Sequence, residues 1–278
     1  MSGSLPLTYL FVPGNRPGRF AKALASGADR IIIDLEDAVA PADKANARAA
    51  IADWMRNAGE QSRKVLIRIN DAATVWHAED LQLAAQAQAL CVMLPKCEAA
   101  SQVAALLAVL PQTATVLPLI ETARGMLALT EIAVAPRVSR LAFGSLDYMA
   151  DLDIPADSLA LDFAATQIAL ASRAAGLASP VAGVTPDLDA VRVEADMQHA
   201  RSLGFGAKMC IHPSQIAAVR HALAPSAEEL AWARRVLQAW NASAGGAIQV
   251  DGKMVDPPVV LKAGRMAALA GAADPVDH

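Results

Sequence analysis

Eight short apolar runs recur along the chain, each closing on a polar or charged cluster, and Ala-rich stretches long enough for helices separate them. The runs span residues 8–13, 30–36, 64–70, 90–96, 115–121, 140–147, 180–185 and 207–213. Ile31-Ile32-Ile33, Val65-Leu66-Ile67, Val92-Met93-Leu94 and Val116-Leu117 are continuous rather than alternating. That is the pattern of strands covered on both faces, hence of a parallel sheet. Helices are predicted over residues 41–57, 79–89, 98–110, 125–135, 160–175 and 189–203, rich in Ala and Leu and punctuated by Gly or Pro near their ends. Strand-then-helix units repeated at this spacing satisfy the right-handed crossover rule and close most simply into an α/β fold of the (β/α)8 TIM-barrel type. An open doubly wound sheet is the alternative, disfavoured because no Gly-x-Gly-x-x-Gly follows the first run.

Beyond the eighth run, helical segments are predicted over residues 215–223 and 227–244, followed by Gly245-Gly246. Residues 248–255 carry an Asp251-Gly252 centre with apolar flanks, the signature of a hairpin, and Pro257-Pro258 leads into a last helix ending near residue 270. The predicted division is a barrel over 1–224 and a C-terminal helical and hairpin extension over 225–278. The extension is either a packing appendix or a lid.

A length of 278 residues suits two modest domains or one barrel, since such barrels run near ~250 residues as a single unit. With 54% hydrophobic but only 4% aromatic residues, the core must be built from Ala, Leu, Val and Ile. A net charge of -4 leaves no basic footprint and argues against nucleic acid as a partner. Cys91, Cys97 and Cys210 lack zinc-type spacing and read as three buried small hydrophobes in a reducing, cytoplasmic setting. No apolar run approaches the ~18 residues of a membrane span; the most apolar region, 103–123, is broken by Pro111, Gln112, Pro118 and Glu121. Leu5-Pro6-Leu7 has no basic region ahead of it and reads as the approach to the first strand rather than a signal peptide.

In a barrel of this kind the carboxyl ends of the strands converge on one face, and here they bear Asn15-Arg16, Glu36-Asp37, Arg68 to Asn70, Lys96, Glu121, Asp147, Thr185 and His212. Glu121 closes the fifth run and Asp147 the sixth, so neighbouring strands ~4.8 Å apart present both carboxylates to one ion. Hard oxygens with room for water and substrate suit Mg2+, and the absence of His-rich spacing argues against zinc. The competing roles for these acids are salt bridging and helix capping. Arg68 places a planar guanidinium at a buried strand end, suited to a carboxylate or a developing enolate oxygen, or to a salt bridge with Glu36 or Asp37. Those two acids would orient Arg68 or hold metal-bound water beside the substrate. Pro13-Gly14-Asn15-Arg16-Pro17 is either an ordinary turn or, with Arg19 and Lys22 behind it, a dock for a polyanionic tail. His212 reads as a structural histidine.

These residues belong to an ordered set of motifs covering almost the whole chain: Tyr9-Leu10-Phe11-Val12-Pro13-Gly14-Asn15-Arg16, Asp34-Leu35-Glu36-Asp37-Ala38-Val39, Lys44 with Ala47-Arg48, Arg68-Ile69-Asn70, Leu94-Pro95-Lys96, Leu119-Ile120-Glu121-Thr122-Ala123, Phe143-Gly144 with Asp147, and Ile211-His212-Pro213-Ser214-Gln215. In that order they resemble the citrate lyase beta-subunit-like family of the aldolase/citrate lyase superfamily, related to malyl-CoA and citramalyl-CoA lyases. The resemblance implies a (β/α)8 barrel, Mg2+ held by Glu121 and Asp147, and substrate contact from Arg68 and Glu121. It further implies a CoA-thioester substrate and a small keto acid, joined or parted at a carbon–carbon bond. Related lyases carry an acidic residue on a C-terminal lid that reaches a neighbouring subunit's site. Asp256, in Gly252-Lys253-Met254-Val255-Asp256, matches that motif as proton donor or acceptor in a homo-oligomer, trimeric or hexameric. The catalytic set is then Arg68, Glu121 and Asp256, with Arg16, Glu36 and Asp37 also on the substrate. Retention of the Asp256 extension favours a free-standing lyase over a citrate lyase beta subunit that works only beside an acyl-carrier partner, or an aldolase for free keto acids.

Overall fold

In the computed structural model, which describes residues 5–243 and 248–273, the eight apolar runs form eight parallel strands. These are β1 (Thr8–Pro13), β2 (Arg30–Asp34), β3 (Val65–Arg68), β4 (Cys91–Leu94), β5 (Thr115–Ile120), β6 (Ala142–Phe143), β7 (Val181–Ala182) and β8 (Ala207–Cys210). They pair in chain order, and β8 returns to β1 through Thr8↔Lys208, Tyr9↔Met209 and Leu10↔Cys210, closing the barrel. The predicted (β/α)8 fold is the observed one.

Helices α1 (Phe20–Leu24), α2 (Lys44–Asn57), α3 (His77–Gln86), α4 (Ala100–Val109), α5 (Ala123–Leu127), α6 (Leu129–Ala133), α7 (Ser145–Leu152), α8 (Leu159–Ala174), α9 (Ala190–Ser202) and α10 (Gln215–Leu223) connect and follow the strands. Because side chains alternate across a strand, half of each strand fills the barrel and half meets the helices. Tyr9, Ile32, Leu66, Met93, Leu117, Leu119, Ala142, Val181, Ala207 and Met209 form one buried cluster inside. At the amino-terminal end of the barrel, Arg140 donates to the carbonyls of Pro6 and Ser179 and lies 5.9 Å from the Tyr9 ring, tying β6 to the start of the chain.

All the apolar runs but the first overshoot their strands at the carboxyl end, most at β6, which like β7 keeps two residues. The polar tails leave the ladder to build the mouth: after β6, the Gly144 N–H donates to Ile120 at 2.9 Å and the chain turns at once into α7. The helix predicted over 125–135 is split at Ala128 into α5 and α6. α1 lies beyond the turn predicted at 13–17 and outside the predicted helices. The three cysteines are free thiols. Burial pushes Cys97 and Cys210 up to about 12, which suits the structural role expected of them.

The chain divides into two compact units, meeting in sequence at Ala222 and Leu223. The second unit packs α11 (Ala227–Ala242) against α12 (Pro257–Ala273), with the antiparallel hairpin β9 (Ile248–Val250) and β10 (Lys253–Val255) between them in sequence. Its core is Ala233, Val236, Val255 and Ala263, with Trp232, Trp240 and Met266 at the margin. Asp251 and Gly252 have φ of 52° and 74°, the positive pair that a two-residue type I′ turn requires and that Asp-Gly accepts at low cost. Gly245-Gly246 lies outside the described residues. Among the described residues no helix is long and apolar enough to cross a membrane.

Candidate active site at the barrel mouth

A cavity of about 320 Å³ opens among the carboxyl ends of the strands, lined by Phe11, Asp34, Arg68, Glu121, Asp147 and Ile211 among others. Arg68, at the last position of β3, is 8% exposed and lies 4.8 Å above the Phe11 ring. Its Nε and Nη2 donate to the two oxygens of Asp34 at 2.7 Å each, and Nη1 reaches Glu36 at 2.9 Å and Asp37 at 3.4 Å. The pairing with Glu36 and Asp37 is thus present, but the strongest partner is Asp34, which is not among the residues expected at the site. Asp34 also accepts from the backbone N–H groups of Glu36 and Ala38, so one carboxylate at the end of β2 fixes both the guanidinium and the turn that carries Glu36. Asp34 grips the Nε–Nη2 edge side-on while Glu36 and Asp37 meet Nη1, so the second N–H of Nη2 is the one these acids leave to a ligand.

Glu121 follows β5 directly and is 2% exposed. One oxygen accepts the Lys96 backbone N–H at 2.7 Å, and Lys96 holds a φ of 43° to present it, a left-handed conformation costing of order 1 kcal/mol in a non-glycine residue. The Lys96 ammonium meets Glu36 at 3.2 Å, linking the two acids across the mouth. Burial is the main cause that pushes Glu121 up to about 8, with Glu36 and Asp147 adding to it and Lys96 opposing. Burial likewise pushes Glu36 up to about 7, opposed by Arg68 and Lys96 and reinforced by Asp37 and Asp34.

Asp147 does not end a strand as expected. It sits in the first turn of α7, because β6 stops at Phe143 and Gly144 caps the helix. It still lines the cavity with Glu121 and adds to the electrostatic load on it. Five carboxylates, Asp34, Glu36, Asp37, Glu121 and Asp147, therefore meet two cations, Arg68 and Lys96. Among the described residues no group of three or more His, Cys, Asp or Glu is arranged to hold a metal. Two oxygen donors that leave most positions to water and substrate, in a site short of positive charge, fit a magnesium-like ion and not a structural zinc.

Gly144 is part of this arrangement. A Cβ there would lie 2.2 Å from Glu121 Oε2 and 2.6 Å from its Cβ, so the carboxylate occupies the space a side chain would take. Gly144→Ala is expected to destabilise the protein by about 1–3 kcal/mol, as overpacked sites do, read as a lower urea midpoint. An unchanged midpoint would contradict the contact.

Arg16 is exposed on the loop after β1 and does not line the cavity. His212 is exposed in a turn with Ser214, its Nδ1 2.8 Å from the hydroxyl. Asp256 belongs to the second unit, where its carboxylate accepts the Val259 N–H at 3.3 Å at the start of α12.

The chain and its fold have counterparts among known proteins. The family profile described as HpcH/HpaI aldolase/citrate lyase matches residues 7–213, all eight strands included. The citrate lyase subunit beta-like protein of Mycobacterium tuberculosis is 40% identical over 272 residues, covering 95% of this chain and 96% of the relative. The (3S)-malyl-CoA thioesterase of Cereibacter sphaeroides is 33% identical over 257 residues, covering 90% and 89%. Among solved structures, that of CitE from Mycobacterium tuberculosis in complex with magnesium, acetoacetate and coenzyme A superposes with a TM-score of 0.85 at 38% identity, covering 96% of this chain and 99% of the other. A profile spanning the whole barrel and relatives matched nearly end to end leave one conclusion: the chain belongs to the HpcH/HpaI aldolase/citrate lyase family.

Proposed function

We propose that this protein is a magnesium-dependent carbon–carbon lyase that parts, or joins, an acetyl-type CoA thioester and a keto acid, acting on a 3-hydroxyacyl-CoA of the citryl, malyl or citramalyl type. The observation carrying this reading is that Glu121 and Asp147 line one cavity with Arg68, a pair of hard oxygen donors beside a guanidinium. A magnesium ion held by those two acids supplies an electrophile for the keto acid's oxygens. Arg68 offers the remaining N–H of its Nη2 to the same acid's carboxylate or to oxygen that gains charge as the bond breaks. Asp34, Glu36 and Asp37 orient that guanidinium and keep it charged. Arg16 takes the anionic tail of the thioester, and Asp256, delivered by a neighbouring copy in a trimer or hexamer, moves the proton at the acetyl-type carbon. The CoA and magnesium bound by the CitE relative support the ligand classes.

The experiment is to incubate purified protein with Mg2+ and each of citryl-, malyl- and citramalyl-CoA and to identify the products by mass spectrometry. Release of a keto acid with acetyl-CoA from at least one is expected. Inactivity on all three, with metal bound, overturns the proposal. A second reading, hydrolysis of the thioester, is favoured by the malyl-CoA thioesterase relatives; it yields free CoA and an intact hydroxy acid.

The raised carboxyls also set a pH dependence. Glu36 and Glu121 bind protons more tightly folded than unfolded, so folding takes up protons between their ordinary 4.5 and the folded values of about 7 and 8. Their contribution to stability is full below pH 4.5 and is lost as pH rises towards 8. In EDTA the thermal midpoint is expected to fall from pH 5 to pH 8, and Mg2+ should restore it most at pH 8, where it competes with the fewest protons. A flat or rising midpoint across that range in EDTA would remove the argument.

A further inference from the structure

The outer side of the barrel wall carries a second cavity, of about 380 Å³, between β6–β8 and helices α8 and α9. Ala207 and Met209 belong to the interior cluster, so Lys208 between them points the other way, towards the helices. It lines the cavity and is 4% exposed. Its ammonium donates to the Gly183 carbonyl at 2.6 Å. Among the described residues no second acceptor takes a hydrogen bond from it and no carboxylate forms an ion pair with it. An ammonium has three N–H groups, so two are left.

The acids on the same wall are committed elsewhere. Asp196 accepts from the Thr185 hydroxyl at 2.8 Å and pairs with Arg192 at 3.0 Å, and Asp162 pairs with His199 at 2.8 Å. Phe143, Leu146, Met149, Leu161, Leu203 and Phe205 make the remainder of the wall largely apolar. Burial pulls Lys208 down to about 8, with the Asp196 charge opposing, as expected of a cation taken out of water with no carboxylate in direct contact. A buried polar group left this way is costly to a fold that gains nothing from it.

We propose that this cavity is a binding site for a small monocarboxylic acid, its carboxylate on the Lys208 ammonium and its hydrocarbon chain along the apolar wall. One unmatched cation suits one negative charge. Asp162 and Asp196 line the same wall and disfavour a second negative charge, so a monoanion is preferred over dicarboxylates and phosphate dianions. The volume is at the small end of the ~300–1,000 Å³ usual for ligand pockets, which limits the guest to a short chain. Ser145, Leu146 and Val184 face both this cavity and the mouth, yet Lys208 faces only this one, so the site stands independently of the proposed lyase activity.

The test is calorimetric titration of the full chain with hexanoate, alongside hexan-1-ol as its uncharged counterpart and succinate as a dianion. Saturable hexanoate binding is expected, with the alcohol weaker by about tenfold or more through loss of a charge-assisted contact, and succinate weaker by a similar factor through its second charge. Lys208→Met removes the charge and keeps the stem; Ala165→Leu fills the cavity and keeps the charge. Each is expected to weaken hexanoate by at least about tenfold. The proposal is overturned if wild-type protein shows no saturable binding, if the alcohol binds as well as the acid, or if both variants bind as wild type does, which would put the acid at the mouth. Should one variant fail to fold the other decides, and crystals grown with hexanoate read the site directly: density at Lys208 supports it and density confined to the mouth overturns it.

Discussion

Replacing Glu121 by Gln is expected to lower kcat/KM for metal-dependent cleavage by about 1,000-fold or more, while making the metal-free protein more stable at pH 8. The loss of rate corresponds to about 4 kcal/mol of charge stabilisation in the transition state, within the several kcal/mol that a bound divalent ion supplies. The gain in stability has a separate origin. Glu121 is buried, its neighbours Glu36 and Asp147 are acids, and ionising it against them costs the fold free energy that a neutral amide of the same shape does not incur. For a chain of this length each kcal/mol moves the midpoint by ~2–4 °C, so the difference in EDTA at pH 8 is measurable by scanning calorimetry. Opposite signs for activity and stability are the mark of a residue kept for chemistry. A Glu121→Gln protein that is less stable than wild type in EDTA at pH 8, or that turns over normally with Mg2+, would show that this acid is structural.

The second large effect is at Asp34. Asp34→Ala removes both oxygens that grip the Arg68 guanidinium and leaves the backbone N–H groups of Glu36 and Ala38 without their acceptor. Breaking a buried pair by deleting one partner costs ~3–5 kcal/mol, most of it the penalty of the charge left behind. Glu36 and Asp37 remain near Arg68 and place the expected loss towards the lower figure. Urea unfolding would measure it. A double-mutant cycle with Arg68→Met should return a favourable coupling, because removing both charges is less damaging than removing either alone. A loss below about 1 kcal/mol for Asp34→Ala would mean that Glu36 and Asp37 suffice to hold the guanidinium. Activity should fall in either case, since the Nη2 N–H left for a ligand is aimed by the edge that Asp34 holds.

The candidate site was legible in outline. Arg68, Glu121 and Asp147 are polar residues at the ends of apolar runs, and a parallel barrel brings such ends together whatever the loops do. Asp34 was legible in principle, as the acid that ends Ile31-Ile32-Ile33, but Glu36 and Asp37 beside it offered the same charge, and no periodicity distinguishes them. The Lys96 backbone N–H and the Gly144 gap carry no side-chain signal at all. They become visible only as a hydrogen bond of 2.7 Å and as the space that Glu121 fills.

The sequence by itself determined the number, order and parallel sense of the strands, the Asp251-Gly252 hairpin and the presence of acids and an arginine at strand ends. Each of these is a local property, set by hydrophobic period, turn chemistry and the two-sided burial of continuous apolar runs. Only the tertiary structure decided that Asp34 rather than its neighbours grips Arg68, that Asp147 acts from a helix rather than a strand, and that Lys208 faces a second cavity with one carbonyl for company. Those outcomes depend on the stagger with which eight strands close and on where each short strand stops, and closure joins residues that the chain keeps far apart.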